Sequence, residues 1–123
     1  MQLDHFNIAA PMDLLETVRD FYVEVLGFEE GFRPGFQRRG YWLYAGGKPS
    51  IHLVESDRHE SSEGKGYLDH IAFRASGLED YLRRLERHGI RVRRSRIEEL
   101  AMTQLFFKDP AGTGLEISFP GET

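Results

Sequence analysis

Residues 3–6 read Leu-Asp-His-Phe and residues 68–71 read Leu-Asp-His-Ile, so one signature of an apolar residue, an acid and an imidazole returns 65 positions later. Each copy is followed by an amphipathic stretch, a glycine and three strand-like stretches. The last of these end in Ile51-His52-Leu53 and Leu115-Glu116-Ile117, which stand 64 positions apart. Two copies in nearly one register predict an internal repeat, and the repeat decides the fold. The order is βαβββ, twice. The expected class is α+β: two tandem βαβββ modules forming a curved, mostly antiparallel sheet cup with the helices outside. Module 1 covers residues 1–55, a polar linker 56–66, and module 2 residues 67–120, all within one domain of residues 1–123.

The helices are read from their ends and their faces. Asp13 with Glu16 three residues on has the pattern of an N-cap and capping box, and Leu15, Val18, Tyr22, Val25 and Leu26 keep helical spacing up to Gly27. Ser76 with Glu79 repeats the capping pattern before Leu78, Leu82 and Leu85, and Gly89 stops that helix. Strands are expected over 28–32, 41–45 and 50–55, and over 90–97, 102–108 and 115–119. Gly46-Gly47-Lys48-Pro49 and Asp109-Pro110-Ala111-Gly112 carry turn chemistry between the last two strands of each module. The run Arg91-Val92-Arg93-Arg94-Ser95-Arg96 reads as charge on an edge strand, where it deters sheet-to-sheet pairing.

Composition narrows the partner. The chain has 123 residues, 40% hydrophobic and 29% charged, which is ordinary for a folded domain. Its formal charge of -4 argues against general affinity for nucleic acid or anionic lipid, so a small molecule is the expected partner. There is no cysteine, which excludes disulfides, thiolate nucleophiles and iron–sulfur clusters. No signal-like or membrane-spanning stretch is present, and a cytoplasmic location is expected.

Any metal must then be held by imidazole, carboxylate or water. Neighbours in a strand face opposite ways, so Phe6 and Ile8 turn His5 away from the core, as Ile51 and Leu53 do for His52. The same test turns out His70, ahead of Ile71 and Phe73, and Glu116, between Leu115 and Ile117. Two or three imidazoles with a carboxylate and no thiolate suit Zn, Ni, Fe, Co or Mn rather than Ca or Mg. His59 in the linker and His88 at a helix end read as structural. Asn7, one pleat beyond His5, is expected to line the cavity. Trp42, Tyr41 and Phe106 supply an apolar wall or complete the core.

These residues resemble the vicinal oxygen chelate superfamily, which includes glyoxalase I, fosfomycin-resistance thiol transferases, extradiol dioxygenases, methylmalonyl-CoA epimerase and metal-free bleomycin-binding proteins. Leu-Asp-His-Phe at 3–6, Asp20-Phe21-Tyr22 through Leu26-Gly27-Phe28, Leu-Asp-His-Ile at 68–71, and Phe107-Lys108-Asp109-Pro110-Ala111-Gly112 leading to Leu115-Glu116 carry the resemblance over nearly the whole chain. It implies that His5, His70 and Glu116 fall on shared metal positions and His52 on one that varies between subfamilies, where it is expected either as a fourth metal ligand or within hydrogen-bond reach of metal-bound water. Proteins similar to glyoxalase I usually place a glutamate there. The implied activity is metal-dependent chemistry on a substrate with two neighbouring oxygens, either lactoylglutathione lyase-type proton transfer or extradiol-type dioxygenation. Glu116 and then His52 are the expected acid–base residues. No convincing match to the phosphonate and potassium loops of the fosfomycin transferases is found. The alternative is a metal-free binding protein of the bleomycin-resistance type. One module has too little apolar surface to fold alone, so modules must pair within a chain or between chains; a homodimer is expected, with the swapped and intrachain arrangements both open.

Overall fold

In the computed structural model, which describes residues 1–60 and 67–123, the repeated signature stands at the head of each of two matching units. The last part of the expected linker, residues 61–66, lies outside the described residues. The units are Met1–Ser62 and Glu63–Thr123.

The first unit runs β1 (Phe6–Ala10), α1 (Met12–Glu24), β2 (Glu29–Gly31), β3 (Gly40–Ala45) and β4 (Lys48–Glu55). Its strands lie in the order β1-β4-β3-β2, with β1 and β4 parallel and the other two pairs antiparallel. The second unit runs β5 (Ile71–Arg74), α2 (Leu78–Arg87), β6 (Arg93–Ile97), a 3-10 turn (Glu98–Leu100), β7 (Met102–Lys108) and β8 (Gly114–Pro120). Its order, β5-β8-β7-β6, repeats the first, again with one parallel and two antiparallel pairs. The chain is therefore α+β, with two βαβββ modules. The Arg-rich β6 is an edge strand, as its charge predicts.

Each core comes from helical spacing on one element and alternation on another. Leu15, Val18 and Tyr22 of α1 are fully buried, as are Leu43 of β3 and Ile51 and Leu53 of β4. In the second unit Leu78 and Leu85 of α2 are buried, as are Leu105, Leu115, Ile117 and Phe119, and Tyr81 lies against the Phe119 ring. Each such side chain contributes about 1.5–3 kcal/mol on burial, so the register is fixed by which residues alternate inward.

Both helix starts differ from the capping boxes read in the sequence. Helix α1 begins at Met12 behind Pro11, which puts Asp13 inside the first turn, where its carboxylate accepts from the Leu14 N–H at 2.9 Å. Pro11 at the cap position has no side-chain acceptor, so no side-chain cap forms. Before α2, Gly77 takes φ +91, and Ser76 is not the cap. The cap is Glu122, whose carboxylate accepts from the N–H groups of Gly77 (3.0 Å) and Leu78 (2.9 Å). His88 closes this helix as its C-cap.

The β3–β4 turn is also tighter than expected. Gly46 and Gly47, both with positive φ, make a two-residue hairpin, and Lys48 and Pro49 already pair with Ala45 and Tyr44 in the ladder. The register shifts between Leu43 and Tyr44, beside the proline that cannot donate to it. At the matching turn Asp109 accepts from the Ala111 and Thr113 N–H groups at 2.9 Å each.

Candidate functional site

His5 and His70 each stand one residue ahead of the first strand of their unit rather than inside it, both half-exposed. Each gives Nδ1 to the acid that precedes it: His5 to Asp4 at 2.6 Å and His70 to Asp69 at 2.8 Å. A carboxylate on Nδ1 fixes the ring and its tautomer, so Nε2 becomes the nitrogen that can bind an ion. The repeated Asp-His is thus a repeated device, which adds Asp4 and Asp69 to the candidate site residues.

In the second unit the pleat brings Glu116 to His70. Ala72 pairs with Glu116 across the parallel β5–β8 ladder, and His70, two residues earlier, shares that face. His70 Nε2 lies 2.9 Å from Glu116 Oε2. Glu116 is buried, and its Oε1 accepts from Gln104 Nε2 and Ser118 Oγ, both at 2.7 Å. Held between Asp69 and Glu116, His70 is raised above the ordinary imidazole value, chiefly by the Asp69 hydrogen bond. Gly114 opens β8 beside it: a Cβ there would lie 2.3 Å from Asp69 O and 3.3 Å from His70 Cβ. Phe106 meets the His70 ring edge-on, centroids 5.6 Å apart.

In the first unit His52 pairs with Asn7 of β1 and Trp42 of β3. Its ring is stacked between the Trp42 indole (centroids 4.1 Å) and the His5 imidazole (3.7 Å), all nearly parallel. His52 Nε2 donates to Pro49 O at 3.0 Å, which leaves Nδ1 as its basic nitrogen. Burial, and then the neighbouring His5, lower its pKa below the usual range. Asn7, Trp42 and His52 line one cavity of this unit, whereas Tyr41 carries the Arg19 guanidinium 4.6 Å from its ring centroid. His59, outside these clusters, meets Ser56 Oγ at 2.8 Å.

Each unit thus joins two of the four expected site residues: His5 with His52, and His70 with Glu116. Among the described residues no three His, Asp or Glu side chains form a ready group for a metal ion. The sequence profile of the Glyoxalase/Bleomycin resistance protein/Dioxygenase superfamily matches residues 2–117. The chain belongs to this superfamily.

Solved structures place the fold in the same group. A glyoxalase family protein from Enterococcus faecalis is 27% identical, with a TM-score of 0.70 and coverage of 95% of this chain and 96% of that one. TnmS3, an antibiotic binding protein from Streptomyces sp. CB03234, is 24% identical with a TM-score of 0.70, over 98% and 96% of the two chains. The fosfomycin resistance protein FosX from Listeria monocytogenes, crystallised with Mn(II) and sulfate, is 18% identical with a TM-score of 0.70, over 96% and 91%. The last two show a shared fold. No curated protein matches by sequence. No helix among the described residues is long and apolar enough to cross a membrane.

Beyond the residues expected from superfamily resemblance, Gln104 and Ser118 hold the Glu116 carboxylate in place. Their signal was present: alternation along β7 and β8 puts Gln104, Phe106, Glu116 and Ser118 on one face, because Thr103, Leu105, Leu115 and Ile117 are buried on the other.

Proposed function

We propose that the chain is a divalent-metal-dependent enzyme acting on a small substrate with two neighbouring oxygens, by glyoxalase-like proton transfer or extradiol-dioxygenase-like oxygenation. The observation that carries this reading is the 2.9 Å approach of His70 Nε2 to Glu116 Oε2, with Asp69 behind the imidazole. An imidazole and a carboxylate brought together from neighbouring strands are the donor types that would hold such an ion. His5, buttressed by Asp4 in the same way, is the third ligand. The donor set suits Zn, Ni, Fe, Co or Mn, and the Mn(II) in FosX is compatible with it. Bound there, the ion would take up negative charge developing on the substrate oxygens.

The remaining chemistry falls to the chain's own side chains. Glu116 accepts two hydrogen bonds on Oε1, which suits a fixed ligand better than a mobile base, so the acid–base role passes to His52. Its ring is held by stacking on both faces and stays neutral near pH 7, with Nδ1 able to take a proton. Asp4 and Asp69 orient the imidazoles. Pairing of the modules, within a chain or across a homodimer, would join the His5 half of the site to the His70–Glu116 half.

Titration of Mn(II) and Zn(II) into chelator-stripped protein tests the reading. About one ion per chain is expected, with binding lost in the His5→Ala, His70→Ala, Glu116→Ala triple variant. Equal binding by that variant contradicts the assignment, and no binding by either protein supports a metal-free small-molecule binding protein instead.

A further inference from the structure

The first unit contains a cavity of about 540 Å³, within the range of small-molecule sites, lined among others by Asn7, Arg33, Phe36, Arg38, Trp42 and His52. Two guanidinium groups and no carboxylate line it, although the chain as a whole carries a net charge of -4. Its aromatic lining is Trp42, His52 and Phe36: Trp42 stacks on His52, which His5 backs from the other face, and Phe36 is tilted towards Trp42 at 6.1 Å between centroids. Arg33 lies 4.9 Å from the centroid of the Phe36 ring, and its Nε is shielded from solvent with no hydrogen-bond partner. Among the described residues Arg33 forms no ion pair, whereas Arg39 closes on Glu55 and Arg19 on Asp20. Gly40 lies beside it, and a Cβ there would meet the Leu53 backbone oxygen at 2.0 Å, with Arg33 Nη2 3.0 Å away.

A guanidinium kept unpaired beside aromatic faces suits a ligand that brings both an anion and a ring. A carboxylate matches the planar fork of donors on arginine, and an aromatic ring matches the indole of Trp42, whose face away from His52 ends the stack. Phe36, itself 55% exposed, lies against the Arg33 guanidinium.

We propose that this cavity binds an aromatic carboxylate, with Arg33 holding the carboxylate and Trp42, at the end of the stack beside Phe36, holding the ring. The claim that such a ligand is a substrate rests on the enzymatic reading above; binding itself involves only residues of the first unit and needs no metal.

Trp42 is the only tryptophan of the chain, so its emission reports on the cavity directly. Benzoate titrated into chelator-stripped protein, with excitation at the red edge of indole absorption, is expected to change the emission saturably. Benzamide, the uncharged analogue, and acetate, which has no ring, should each bind at least about tenfold more weakly. Arg33→Met should remove that preference for benzoate over benzamide. Benzoate binding no tighter than benzamide in the parent protein, or an unchanged preference in Arg33→Met, overturns the proposal. The parent comparison stands even if Arg33→Met does not fold. Metal binding is measured separately, so a chain that prefers benzoate but binds no metal keeps this inference and loses the enzymatic one.

Discussion

Asp69 Oδ2 lies 2.8 Å from His70 Nδ1, and 65 residues earlier Asp4 Oδ2 stands 2.6 Å from His5 Nδ1, so the repeat preserves a bonded pair as well as a motif. Partners of this kind fix which ring nitrogen meets a metal and raise its basicity. Asp69→Asn and Asp4→Asn are each expected to weaken metal binding about 10–100-fold while leaving the fold intact. Competition titration against a chromophoric chelator measures the loss; an unchanged affinity in both variants would remove the two acids from the site.

The two best-placed imidazoles should titrate on opposite sides of the ordinary value of 6.5 in chelator-treated protein. His70 is raised by Asp69 first, so its contribution to stability is complete below 6.5 and lost as pH rises through its higher folded value. His52 is lowered by burial first, so its contribution is present above 6.5 and lost as pH falls through its lower folded value. Imidazole proton shifts followed by NMR across this range check the order, and Asp69→Asn should bring His70 down.

The cap of α2 separates local from long-range reading. Glu122→Ala removes the acceptor for two N–H groups and is expected to cost about 0.5–2 kcal/mol. Ser76→Ala should fall within about 0.5 kcal/mol of the parent. Urea unfolding of the two variants checks the contrast.

What was legible in the sequence is what depends on near neighbours. Periodicity located both helices, and alternation around His52 and Glu116 chose their face, because Ile51, Leu53, Leu115 and Ile117 have to be buried. The capping of α2 was not legible, since Glu122 reaches it from 44 residues away, and the Ser76–Glu79 spacing offered a local substitute. Alternation put Gln104 and Glu116 on one face, but that they meet depends on the register of β7 against β8, which alternation alone does not give. The stacking of His52 between His5 and Trp42 likewise needs two ladders in register at once.

Pairing between modules is open to a mixing experiment. In a homodimer that completes each site from two chains, His5→Ala mixed with Glu116→Ala is expected to recover one intact metal site per heterodimer. Sites built within one chain recover none. A monomer by sedimentation at micromolar concentration would rule out the dimer.

Metal analysis of the protein purified at neutral pH without chelator or nickel resin tests the assignment of His5, His70 and Glu116 as the ligands of a divalent ion. About one Zn, Mn, Fe, Co or Ni ion per chain is predicted, released on acidification as the imidazoles protonate. A parent protein with no more metal than its His5→Ala, His70→Ala, Glu116→Ala triple variant would contradict it.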